Sequence, residues 1–138
     1  MLHTPDGGKN WSAIATSITA DIEAIHFIDA EVGWSAGIRP SGVQGVLLQT
    51  LDGGMTWFEP LRDLLPPLRS MHWRDPNHGL VVGDLGTILE TRDGGQNWER
   101  YSLPTRQEFR SVFSLADGTA IAGGLDGGLA VRSETPPM

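Results

Sequence analysis

An all-β fold of repeated four-stranded antiparallel sheets is what the sequence predicts, and three observations predict it. One pattern, T-x-D-G-G-x-x-W, occurs three times: Thr4 to Trp11, Thr50 to Trp57 and Thr91 to Trp98. Its aspartates, Asp6, Asp52 and Asp93, lie 46 and 41 residues apart, near the ~40–50-residue period of one blade-like sheet. Short apolar runs ending in glycine recur in register with the pattern, and no segment reads as an amphipathic helix.

Within each repeat the elements follow one order. The stretches 24–37, 70–83 and 111–124 align as an apolar strand A, a turn and a strand B that ends in glycine. The third copy reads as one residue shorter at Asp117-Gly118, a two-residue hairpin signal. Strand C follows as GVLLQT, GTILET or GLAVRS, with about five extra residues, 39–44, before the first of these. The T-x-D-G-G turn comes next, and strand D starts near the tryptophan. Runs such as Val46-Leu47-Leu48 and Leu80-Val81-Val82 are apolar on both faces, as expected of sheets covered on both sides. The 61–68 stretch, LRDLLPPL, carries two adjacent prolines and fits a loop from D to A.

Sheets of this period that cover one another on both faces make a β-propeller. The chain supplies about three blades: 22–61, 68–103, and one split between 4–17 and 109–133. A fourth box would fall at 134–136. Propellers typically close with 4 to 8 blades, so three blades leave apolar faces and a bare strand edge. Two copies joined head to tail would make a six-bladed ring, and a homodimer is therefore expected.

The box residues have structural work to do. The aspartate accepts N–H groups of its own turn, the glycine pair adopts positive φ, and the tryptophan buries its ring between sheets. Three equivalent copies point to architecture, so Asp6, Trp11, Asp52, Trp57, Asp93 and Trp98 are assigned to the turn, not to catalysis or metal binding.

Composition narrows the function. With 138 residues and no cysteine there is room for one repeat array and no thiolate metal site or disulfide. A net charge of −7 argues against general nucleic-acid binding, which needs a basic face. No stretch approaches the ~18 apolar residues of a membrane span, and no basic region followed by an apolar stretch opens the chain. A cytoplasmic location is expected as written, and a lumenal or extracytoplasmic one if an upstream leader is missing.

Function is expected where the D-to-A and B-to-C loops share a face with the channel mouth. Glu23, Arg69 and Arg110 begin strand A in the three blades, and Arg39, Arg62 and Arg106 lie on nearby loops. Guanidinium groups there suit a carboxylate, a phosphate or an acidic peptide, unless they are solvated or paired with Glu23, Asp63 and Glu108. His26 and His72 share a strand-A position that Phe113 takes in the third copy, which argues for packing over metal binding. No cofactor is expected, because no phosphate-cradling loop opens a helix.

The stretches Gly33 to Gly37 (GWSAG) and Val82 to Trp98 (VGDLGTILETRDGGQNW), with the strand around Ile25-His26-Phe27, resemble the BNR/Asp-box repeat proteins. Among these the chain is most similar to the photosystem II assembly and stability factors, over nearly its whole length. The resemblance implies a non-catalytic protein-interaction scaffold from a family of longer propellers, usually exported to the thylakoid lumen. Asp-boxes also mark sialidases, other glycoside hydrolases and sorting receptors, so a carbohydrate-binding or sialidase-like propeller is the alternative. That alternative needs a tyrosine nucleophile with a glutamate partner and an arginine cluster. Tyr101, the sole tyrosine, falls near the end of an outer strand D.

Overall fold

A computed structural model of the chain describes residues 1–14, 16, 18–61, 63–103, 106–125 and 128–132. Its strands among the described residues are β1 (Leu2–His3), β2 (Ser12–Ala13), β3 (Asp21–Phe27), β4 (Gly33–Ile38), β5 (Gly45–Thr50), β6 (Leu68–Trp73), β7 (Gly79–Gly83), β8 (Thr87–Thr91), β9 (Glu99–Ser102), β10 (Phe109–Ser114), β11 (Ala120–Gly124) and β12 (Leu129–Arg132). They form four antiparallel sheets in simple sequential order, β1-β2, β3-β4-β5, β6-β7-β8-β9 and β10-β11-β12. The sheet β6–β9 has all four strands. Strand D of the sheet before it shrinks to one bridge, Gln49 with Phe58. Among the described residues no ladder joins β12 to β2. The 134–136 stretch lies outside the described residues.

The register corrects one expectation. Ser114 opposes Ala120, just as Trp73 opposes Gly79 and Phe27 opposes Gly33. All three A–B loops therefore have the same length, and Asp117-Gly118 is the middle of a five-residue loop, not a two-residue turn. The stretches 24–37, 70–83 and 111–124 are equal in length, and Gly124 opposes the first residue of its A strand as Gly83 does in the blade before.

The sheets stack face to face. Trp34, Ala36 and Leu47 of β4 and β5 pack against Leu68, Trp73, Val81 and Leu89 of the next sheet. Val82 and Ile88, pointing the other way, meet Phe109, Val112 and Ala122 of the sheet after that. Strands β7 and β8 are thus apolar on both faces because both faces are covered. At the front of the array Val46, Leu48 and Trp57 are covered by Met1, Ile18 and Ala20.

The three turns are built alike. In each, the aspartate Oδ1 accepts the threonine hydroxyl and the backbone N–H four residues on: Thr4 and Asn10 for Asp6 (2.8 and 3.0 Å), Thr50 and Thr56 for Asp52 (2.8 and 2.9 Å), Thr91 and Asn97 for Asp93 (2.9 and 2.9 Å). Side chains of Asn10, Thr56 and Asn97 donate to the second oxygen. Both glycines of every box have positive φ. The tryptophans fare differently. Trp57 is 8% exposed and Trp11 59%, although both indoles donate to the carbonyl of the second box glycine.

These bonds hold all three carboxyls at about 2, below their ordinary 3.8, chiefly through Asn10 and Thr56 side chains and the Asn97 backbone N–H. A carboxyl with a lowered folded pKa binds fewer protons folded than unfolded, so its stabilisation is complete above the unfolded value and is lost on acidification. The melting temperature is expected to hold above pH 5 and to fall steadily from pH 4 to pH 2. A flat profile by circular dichroism across that window would contradict the assignment.

Candidate functional site: the channel mouth

Each A strand carries one residue too many at the same place. The register slips between Ile22 and Ala24, Leu68 and Ser70, and Phe109 and Ser111. The skipped residues are Glu23, Arg69 and Arg110. A bulge of this kind leaves its extra residue outside the ladder and re-aims the side chain, while the flanking apolar residue keeps its place in the core. Leu68 and Phe109 are fully buried for that reason. The partner strand crosses so closely that Gly37 and Gly83 are needed: a Cβ there would sit 1.9 Å from the Asp21 carbonyl oxygen and 2.0 Å from that of Pro67. Neither glycine has positive φ, so the requirement is room, not conformation.

The bulge side chains meet in an ion-pair chain. Arg69 donates from Nε and Nη2 to the two oxygens of Asp84 (3.0 and 3.2 Å), a bidentate fork, and from Nη2 to Glu108 Oε1 (3.1 Å). The other Glu108 oxygen accepts from Arg110. Glu23 lies near enough to act on Arg69 electrostatically. Asp84, with the weaker field of Glu108 and Glu23, pushes the Arg69 pKa up, and Arg110 and Arg69 hold Glu108 below its usual range. Arg69 sits half-buried, whereas Arg110 and Arg106 are exposed.

The other sequence-picked arginines are spread out. Arg39, just after β4, pairs with Glu59 beside an open polar groove of about 490 Å³ that Asp63 and Leu64 also line. Arg106 makes no ion pair among the described residues, and Arg62 lies outside them. Sequence reasoning missed Asp84. It occupies the β7–β8 turn, where Leu85 (φ 57°) and Gly86 (φ 66°) both adopt left-handed backbone. A left-handed leucine costs about 1–2 kcal/mol, and Leu85 is exposed, so the turn presents an apolar side chain beside the Arg69 fork. The Asp-Leu-Gly triplet between two apolar runs was the available signal.

The histidines face the inter-sheet gaps. His26 stacks on Trp73 at 6.5 Å, and His72 stacks on Phe113 at 4.1 Å. The Ser114 backbone N–H donates to His72 Nδ1 (3.0 Å), and burial pushes both imidazoles towards the neutral form. Tyr101, on outer strand β9, donates to Glu99, which raises its pKa and makes it a poorer nucleophile. The Arg69 fork lies on β6, at the opposite edge of that sheet.

Repeated antiparallel sheets, in register with three copies of one bonded T-x-D-G-G-x-x-W turn, define a BNR/Asp-box β-propeller chain. Within that class its repeats are similar to those of the photosystem II assembly factors. Residues 63–124 match the family described as Photosynthesis system II assembly factor YCF48. The chain is 23% identical over 128 residues to Photosystem II assembly lipoprotein Ycf48 of Synechococcus sp. (strain CC9902), covering 88% of this chain and 37% of that protein. A 26-residue segment is 65% identical to Photosystem II stability/assembly factor HCF136, chloroplastic, of Cyanidioschyzon merolae, covering 19% of this chain and 6% of that protein. The solved structure described as YCF48 bound to D1 peptide superposes with a TM-score of 0.75 at 29% identity, over 91% of this chain. This chain spans 41% of that one. Among the described residues no helix is long and apolar enough to cross a membrane.

Proposed function

We propose that this chain is a non-catalytic interaction scaffold that serves photosystem II assembly, gripping a protein segment at the channel mouth. The observation that carries the reading is the 29% identical relative solved with a D1 peptide, which this chain follows over 91% of its length. The mouth offers suitable chemistry: exposed Arg110 and Arg106 for a carboxylate, the Glu23–Arg69–Asp84–Glu108 chain for backbone and side-chain polar groups, and Leu85 for an apolar one. Names such as lipoprotein and chloroplastic among the relatives favour the lumenal or extracytoplasmic location over the cytoplasmic one.

The assembly belongs to the same reading. A homodimer in which two copies close a six-bladed ring, each with blades at 22–61 and 68–103 and one shared between 4–17 and 109–133, is supported by what lies bare at the two ends of the stack. One end shows Ile22, Ile25 and Phe27 of β3; the other shows Phe113, Ile121, Leu129 (73% exposed) and Val131 (68%). Their equivalents inside the stack are buried, as Leu68, Trp73, Leu80, Thr87 and Leu89 are, or half-buried, as Met71 and His72 are.

Fluorescence anisotropy with labelled peptides tiling D1 tests the mouth. One region is expected to bind, with affinity falling as salt rises, and R110E together with R106E is expected to weaken it about tenfold. Binding untouched by both changes, or turnover of a fluorogenic sialoside by the intact protein, would overturn the reading.

A further inference from the structure

The gap between the second and third sheets shows how a box tryptophan is normally housed. Trp34, opposite His26 in the β3–β4 ladder, points at the box of the following sheet. Its ring fills the space where a Cβ on Gly95 would sit, only 2.1 Å away, and it meets Trp98 edge-on at 5.2 Å. In the next gap the ladder puts Leu80 opposite His72, so Leu80 holds the place that Trp34 holds one sheet earlier. No box stands in front of it among the described residues. Leu80, Val82, Ile88, Leu103, Ala122 and Ala130 instead line an open apolar groove of about 480 Å³.

A box of the kind that would fill this groove is present elsewhere in the same chain. The first box is fully bonded, yet its Trp11 stands 59% exposed, with its indole N–H tied back to the Gly8 carbonyl at 3.1 Å. Among the described residues Gly8 has only its own tryptophan near it, where Gly95 has Trp34. One element has a bare knob and the other a bare socket, and the repeat dictates that they match. We propose that each copy in the homodimer seats Trp11 in the Leu80 groove of the other, while β2 extends the partner's β10–β12 sheet along β12. This rests on the homodimer reading above and names the residues that would make it.

The seating has a structural cost that makes it specific. β1 runs into the first box as β5 and β8 run into theirs, so it occupies the position that the partner's β12 would take beside β2. Leu2–His3 must let go of β2. That ladder is two residues long and Leu2 is exposed, so the loss is chiefly the packing of Met1 over Val46, Leu48 and Trp57. The groove is apolar, which fits an indole of roughly 150–250 Å² and not a charged peptide. Two-fold symmetry makes the contact twice per dimer.

Sedimentation equilibrium on the full chain, with W11A, W11F and L103R beside the unchanged protein, tests this. The unchanged chain is expected near twice 14.9 kDa. W11A and L103R should each raise the dissociation constant roughly thirtyfold or more, as a buried aromatic anchor does, with W11F between. Because Trp11 is exposed in the single chain, W11A should keep its circular dichroism spectrum. The emission difference between the unchanged chain and W11F should shift to the blue as concentration rises. Dimers of equal strength in all variants would overturn the Trp11 seat and leave the homodimer standing. A monomer for the unchanged chain would overturn both.

Discussion

Replacing Trp34 with alanine is expected to destabilise the chain by about 3–5 kcal/mol, the range for removing a fully buried aromatic from a packed core. Trp34 has no exposed surface, stacks on Trp73 at 5.6 Å and 27°, and meets Trp98 edge-on at 72°. Alanine would vacate the space beside Gly95, and the box cannot move in to fill it, because Thr91 and Asp93 hold that turn with five hydrogen bonds to its own residues. Urea titration followed by circular dichroism should show the midpoint falling with little change in slope. A loss below about 1 kcal/mol would mean that the sheets do not depend on this contact. A conservative W34F change should recover part of the loss, since a phenyl ring keeps the stacking on Trp73.

The second large effect comes from adding a methyl group. G37A and G83A place a Cβ within 2 Å of a backbone carbonyl oxygen, 1.9 Å from that of Asp21 and 2.0 Å from that of Pro67. Neither oxygen belongs to a side chain that can swing away. The Pro67 oxygen also accepts the Asp84 N–H at 2.9 Å, so moving it disturbs the turn that holds the Arg69 fork. Each substitution is expected to cost at least the ~1–3 kcal/mol typical of overpacking. G83A should also weaken peptide binding, whereas G42A, where a Cβ meets no atom and only the φ of 77° favours glycine, should cost about 1 kcal/mol and leave binding unchanged. Thermal melts of the three variants separate these outcomes, and equal melting temperatures would refute the close-approach argument.

The fold was readable because its signals are local and repeated. Thr, Asp, Gly-Gly and Trp at fixed offsets specify one turn, and three copies fix the period without reference to anything distant in the chain. Strand order followed from the two-sided apolar runs. The bulges escaped the reading, although the residues they displace were picked out by position, since an extra residue in one strand is visible only against its partner. The A–B loop of the third blade was misjudged because Asp117-Gly118 carries a hairpin signal, whereas the pairing of Ser114 with Ala120 leaves five residues between the strands.

The mouth was half readable. Position at the head of strand A was enough to find Glu23, Arg69 and Arg110. Their pairing was not, because Asp84 and Glu108 reach Arg69 from a turn and a loop 15 and 39 residues along the chain. Trp11 carried an ordinary box signature in the sequence. Only the exposed ring beside two buried or half-buried counterparts marks it as different.

The bulges separate two demands that usually compete. A side chain lifted out of the ladder is free to answer to what meets the end of its sheet, and its neighbours Leu68 and Phe109 answer to the core. Glutamate stands at one such post and arginine at the other two, with no change in the sheet behind them. A chain built this way can respell what it displays around its axis, one letter per blade, and leave its foundations as they are.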